Sequence, residues 1–333
     1  MKHKKGTLEI QFNWIFVLII GAVILLLFSG IILRQKDISE TSKNALILNN
    51  LDAILSGSEV SAGTVNVFDI PKTNIEFSCN RYSVGGLSKQ LDVMNVFVPS
   101  SIEGNKLISM VLDFSIPYRA TNLIYLTSPK YRYVFVGNNG LTTKLKDMMP
   151  DEVFSEIYSD LSGISYNDEE KTRFIFVDTP ISLPSDFNSV LDDKVTALEV
   201  ISSSKDIEFF KKQGTSFVSS GTSFYLKNDD LLGAIISDTQ EIYECVMANV
   251  FEKINIITQI YLSKVQKLPI EYQTNGNSRC ASLQSTAYST SNLLLIKNSK
   301  DFLKSNSINI LNAAKDLETQ NKEVQLQSCA TIY

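Results

Sequence analysis

Four cysteines, Cys79, Cys245, Cys280 and Cys329, and one histidine, His3, bound the chemistry open to this chain. With its only imidazole at the third residue, the body cannot build a Ser–His–Asp triad or a histidine-ligated metal centre. No two cysteines have C-x-x-C spacing, which argues against zinc. An even set of cysteines confined to the later chain instead predicts two disulfides and an oxidising compartment. A nucleophile without histidine needs a Ser–Lys pair, a carboxylate dyad or a metal. Ser202 and Lys205 have a Ser-x-x-Lys spacing, but they lie in a serine run after an apolar stretch, where a turn is the preferred reading. Asp192-Asp193 and Asp229-Asp230 are adjacent carboxylates. Neighbouring side chains diverge in a strand, so adjacency is poor dyad geometry, and both pairs read as loops. The acidic run Asn167–Glu170 lacks the spaced ligands of a calcium loop. Gly137-Asn138-Asn139-Gly140 lacks the Gly-Lys-Ser/Thr ending of a phosphate loop and reads as a turn. No cofactor or metal is expected, and no catalytic residue is nominated.

What must position these groups begins at the N-terminus. Ile10–Leu33 is a run of 24 residues without a formal charge. As a helix it measures about 36 Å, enough to cross a hydrocarbon core of about 30 Å. Lys2, Lys4 and Lys5 precede it, which favours a cytoplasmic N-terminus, a single span and an extracytoplasmic body. The run is longer than the apolar core of a cleaved secretory signal. The net charge is −5, yet residues 1–36 hold five Lys/Arg against one acid, so the body beyond is more acidic still. Such a body repels phosphate backbones, and nucleic acid is not an expected partner. The lipid bilayer is one.

The stretch Lys4-Lys5-Gly6-Thr7-Leu8-Glu9 sets a basic pair, a glycine and an acid ahead of the long apolar helix. It resembles the leader of type IV pilins and the archaeal class III signal peptides. It is also similar to the leaders of uncharacterised exported single-pass proteins of archaea, which bring no known activity. The resemblance covers about the first 30 residues. It implies cleavage after Gly6, a mature N-terminus at Thr7, and an apolar helix kept as anchor or filament core. The family's glutamate usually lies five residues after the cut, where this chain has Gln11; Glu9 is third. A plain signal anchor with cytoplasmic lysines remains the other reading.

Beyond the span the expected fold is α+β, mixed. It comprises a cytoplasmic tip and anchor (1–36), a juxtamembrane helix (37–59), a β-rich to α/β region (60–237) and a helical C-terminal region (238–333). Ile38, Ala45, Leu48, Leu51 and Leu55 recur at helical spacing. Runs rich in Val, Ile, Phe and Tyr at 73–79, 94–98, 107–114, 122–126 and 131–136, punctuated by Gly and Pro, predict antiparallel strands. Residues 141–168 predict a helix, with Pro150 in a first turn and Val153, Phe154, Ile157, Tyr158 and Leu161 on one face. Strands follow at 173–177 and 195–201, then a hairpin over 207–226 through Gly214 and Gly221, and a strand at 231–236. Asp238 and Glu241 predict a capping box opening a helix with Ile242, Val246, Val250, Ile254, Ile257, Tyr261 and Val265 as its seam, ended by Pro269. Two further helices are expected at 282–303 and 306–327. If those two are antiparallel, Cys280 and Cys329 share one end, which favours Cys280–Cys329 and leaves Cys79–Cys245.

The thirteen Tyr and eighteen Phe read mainly as core. Two function classes follow. One is a membrane-anchored extracytoplasmic structural or interaction protein, in its sharper form a pilin-like cell-surface subunit that meets copies of itself or other surface proteins. The other is an exported hydrolase that uses carboxylates alone.

Overall fold

The computed structural model describes the backbone of residues 6–91, 95–284 and 287–333. Side chains of 6–17, 27–28, 30–39 and 287–288 lie outside that description. The leader residues Gly6, Thr7 and Glu9, and most side chains of Ile10–Leu33, therefore fall outside the described residues. Among the described residues, no helix is long and apolar enough to cross a membrane.

The body is a mixed α+β fold with two six-stranded sheets. The first has the order β3-β2-β1-β5-β6-β4. Its strands are β1 (Val65–Ser78), β2 (Arg81–Val84), β3 (Leu87–Gln90), β4 (Val96–Phe97), β5 (Ser101–Ser115) and β6 (Arg119–Thr127). All its neighbours are antiparallel except β4 on β6. The second has the order β12-β11-β10-β9-β7-β8. It comprises β7 (Tyr131–Val136), β8 (Phe154–Tyr158), β9 (Lys171–Val177), β10 (Val195–Ile201), β11 (Asp206–Gln213) and β12 (Ser216–Phe224). β8, β7, β9 and β10 run parallel, and β11 and β12 close the sheet antiparallel.

The two-residue side-chain period of the strands separates the apolar residues of the two sheets into three cores, and a smaller cluster surrounds Cys280 and Cys329. On β5, Ile108, Met110 and Phe114 face the central core, while Leu107 and Val111 face outward. On β9, Ile175 and Val177 face the same central core, and Phe174 and Phe176 the far side of the second sheet. The outer face of the first sheet is covered by the end of α1 (Gly6–Glu59), through Ile47, Leu48, Leu51 and Leu55. Burying an aliphatic side chain of this kind is worth about 1.5–3 kcal/mol. Tyr82 Oη donates to the Leu48 carbonyl at 3.1 Å, and Lys89 pairs with Asp52 at 2.7 Å.

The central core is completed by helices: α3 (Asn228–Ile236), α4 (Gln240–Thr274), α6 (Ala287–Asn298) and α7 (Lys304–Leu326). The short α2 (Gly140–Asp147) links β7 to β8, and α5 (Ser278–Gln284) precedes α6. Both disulfides join as the antiparallel reasoning favoured, Cys79–Cys245 and Cys280–Cys329. The first ties the end of β1 to α4, and the second ties α5 to the chain after α7.

Several expectations need correction. Residues 231–236 form a helix, not a strand. Leu231, Leu232, Ala234, Ile235 and Ile236 are all buried, so the run carries no period to separate buried strand from buried helix. Residues 141–168 are not one helix. α2 ends at Asp147, the chain turns at Pro150, and 154–158 joins the sheet as β8. There Arg132 Nε donates to Glu156 at 2.9 Å. The cap of α4 is Thr239, whose Oγ1 accepts from Ile242 N at 3.4 Å, and not Asp238. Pro269 does not end α4, which continues to Thr274. Tyr272 beyond it packs on the Cys280–Cys329 cluster and accepts Ala330 N at its hydroxyl, 2.7 Å, which holds the helix past the missing N–H. Of the segment expected as one helix over 282–303, the described residues are helical to Gln284 in α5 and over Ala287–Asn298 in α6, so helix ends at Asn298 rather than at 303.

Candidate functional site

The four parallel strands put all their amino ends on one edge of the second sheet and all their carboxyl ends on the other. In open α/β sheets a crevice forms at the carboxyl edge where successive crossovers leave in opposite directions. Here that point lies between β7, which continues to β8, and β9, which continues to β10. The chain closes it with its own groups. Asn139 caps α2, its Oδ1 accepting from Thr142 N at 2.9 Å, while its Nδ2 donates to Val177 O at 3.2 Å. Gly137 has φ +138°, and a Cβ there would sit 2.8 Å from Val177 O. Asp178 accepts from Ser202 N at 2.8 Å and from Ser202 Oγ at 2.6 Å.

The amino edge is open. A cleft of about 690 Å³ lies where this edge meets the β1–β5 side of the first sheet, within the roughly 300–1,000 Å³ of small-molecule sites. Its first-sheet wall carries Asn74, Glu76, Ser101 and Glu103; its second-sheet wall carries Lys171, Lys194, Thr196 and Lys211. Hydrogen bonds fasten the walls of the cleft together. Tyr131 Oη donates to Ser101 O at 2.7 Å, Lys171 Nζ donates to Ser101 Oγ at 2.7 Å, and Ser100 Oγ donates to Asp238 Oδ2 at 2.6 Å.

Beneath the cleft lies Arg173, 1% exposed. Its Nε donates to Ile235 O at 2.6 Å, one terminal nitrogen to Ala234 O at 2.9 Å, and the other to Thr196 Oγ1 at 3.0 Å. A guanidinium on the last carbonyls of α3 satisfies orphan acceptors and matches the negative end of the helix. Burial pulls the guanidinium down to about 10, with Asp238 acting the other way, and it remains cationic at neutral pH. The opposite end of α3 is held by Asp230, fully buried. Its carboxylate accepts from Leu226 N and Lys227 N, both at 2.7 Å, and from Tyr243 Oη at 3.2 Å. Burial pushes its carboxyl up to about 6, against the pull of those backbone bonds. Burial also raises Tyr131 and Tyr243 well above the usual phenol range.

The sequence-nominated groups do not converge. Ser202 is engaged with Asp178, while Lys205 Nζ donates to Leu226 O at 2.5 Å, so the Ser-x-x-Lys pair is a turn. Asp192 and Asp193 sit on the cleft rim in a 3₁₀ turn at 192–194. Asp192 takes Lys212 Nζ at 2.8 Å and Gly214 N at 3.2 Å, and these hydrogen bonds hold its carboxyl below the usual range. Asp229 and Asp230 open α3 rather than a loop, with only Asp230 enclosed. Glu169 of the acidic run pairs with Lys130 at 3.3 Å. Among the described residues, no group of three or more His, Cys, Asp or Glu could hold a metal ion. No local motif links Glu76, Lys171 and Lys211, so nothing in the sequence shows that they share one lining with Asp192 and Asp193.

No protein-family description, no curated protein and no solved structure matches the chain.

Proposed function

We propose that this protein is a membrane-anchored extracytoplasmic structural or interaction protein, built on the plan of a pilin-like cell-surface subunit. Its N-terminus is cytoplasmic, its apolar run Ile10–Leu33 lies in the bilayer, and its body meets copies of itself or other surface proteins. The observation that carries the reading is the pairing of all four cysteines in two disulfides, with none free. Two structural disulfides are at home in an oxidising compartment, and such a compartment lies across the membrane that the apolar run would span. The leader residues Gly6, Thr7 and Glu9 support the pilin-like form. So does the backbone of α1, one continuous helix of 54 residues, about 81 Å long, whose final turns pack on the first sheet. A carboxylate-only hydrolase draws less support: Asp192 is committed to Lys212, and Asp230 is enclosed as a helix cap.

Mass spectrometry of the protein isolated from native membranes tests the pilin-like form. A mature N-terminus at Thr7 is expected. An intact Met1 or Lys2 would overturn leader processing and leave a plain anchor.

A further inference from the structure

The cleft at the amino edge has a charge layout that selects its ligand. Some of the charges on its walls are already paired. Lys171 pairs with Glu103 at 3.2 Å, and Lys212 with Asp192 at 2.8 Å. Asp238 is held by Ser100 and lies in the field of the buried Arg173. Besides Asp238, four charges on the lining have no ion pair among the described residues: Glu76, Asp193, Lys194 and Lys211. They sum to zero, with two of each sign. A polyanion would meet Glu76 and Asp193, and a polycation would meet Lys194 and Lys211; like charges brought together disfavour both. A neutral sugar would want an aromatic face to stack on. Among the described residues, the only aromatic side chain on the lining is Tyr131, which is buried with its hydroxyl committed to Ser101 O. A ligand carrying one charge of each sign matches what is left. Hydroxyl and amide groups at Asn74, Thr196 and Gln213 add hydrogen-bonding capacity along the same lining.

We propose that this cleft binds a small zwitterion of the amino-acid and short-peptide class, its carboxylate met by Lys194 and Lys211 and its ammonium by Glu76 and Asp193. Lys211 stands on β11 of the second sheet and Glu76 on β1 of the first, so one ligand bridges the two walls. The inference rests on the cleft and stands whether or not the chain is anchored in a membrane.

Calorimetric titration of the full chain, in detergent at pH 7, tests it with triglycine as the probe. Saturable binding is expected at probe concentrations up to about 10 mM. N-acetyl-triglycine amide, which has the same backbone and no charges, should not bind. Lys211→Ala and Glu76→Gln should each weaken triglycine about tenfold. Both residues are exposed, so both variants should melt with the parent chain. No heat from triglycine or glycine would overturn the proposal. Equal binding of the blocked peptide, or binding unchanged in both variants, would overturn it as well. Binding of a neutral disaccharide in place of triglycine would overturn the zwitterionic class.

Discussion

At the carboxyl ends of β7, β9 and β10 the chain fills its own crevice with Asn139, Asp178 and Ser202. At the amino ends of the same strands it leaves a cleft rimmed by charges of both signs. Helix α3 runs between the two edges inside the central core, with Asp230 at one end and Arg173 at the other. The difference shows how topology and side chains divide the work. Parallel strands and opposed crossovers create a crevice at the carboxyl edge by geometry alone. Whether that crevice is a site depends on local side chains, and here they satisfy one another. The amino edge becomes concave because a second sheet stands against it, fastened through Ser100 and Ser101.

The largest effect should come from Arg173, on which the floor of the open edge depends. Arg173→Met removes a buried guanidinium and leaves the carbonyls of Ala234 and Ile235 without their donor. A loss of about 3–5 kcal/mol is expected from denaturant unfolding. A loss below about 1 kcal/mol would show that α3 does not depend on this contact. At the closed edge, Gly137→Ala adds a Cβ that meets Val177 O in a backbone conformation L-residues rarely adopt. It should cost about 1–3 kcal/mol, and an unchanged melting temperature would contradict the close approach.

A pH dependence is expected at the other end of α3. The ordinary carboxyl value is 3.8, and burial pushes Asp230 up to about 6. The folded chain then binds the proton more tightly than the unfolded chain. This group's contribution is therefore complete below the ordinary value and fades as the pH rises through 6. Asp230→Asn removes the titration. The stability of the parent chain relative to this variant should fall between about pH 4 and pH 7. A flat difference would mean that Asp230 titrates alike folded and unfolded.

Much of the fold can be read from local pattern because its strands are buried on known faces. β7 and β10 follow from apolar runs bounded by turn residues, and the disulfide pairing follows from two antiparallel helical segments. Where burial is complete on all sides the pattern fails. Leu231–Ile236 has no polar face to reveal a helical period, and its capping acid, Asp230, reads as one of an adjacent pair. Asp238 fits a capping box from its spacing to Glu241, but Ser100, far away in sequence, takes its carboxylate. That competition is tertiary and leaves Thr239 to cap. The cleft is illegible for the same reason. Glu76 and Lys211 belong to different sheets, and only the packing of one against the other brings them to one lining.

The proposed extracytoplasmic position of the disulfide-tied body is tested most directly by disulfide mapping of the protein taken from native cells. With thiols blocked at lysis and the digest kept unreduced, mass spectrometry should recover Cys79 joined to Cys245 and Cys280 joined to Cys329, with no alkylated cysteine. Four alkylated, unpaired cysteines would contradict an extracytoplasmic body.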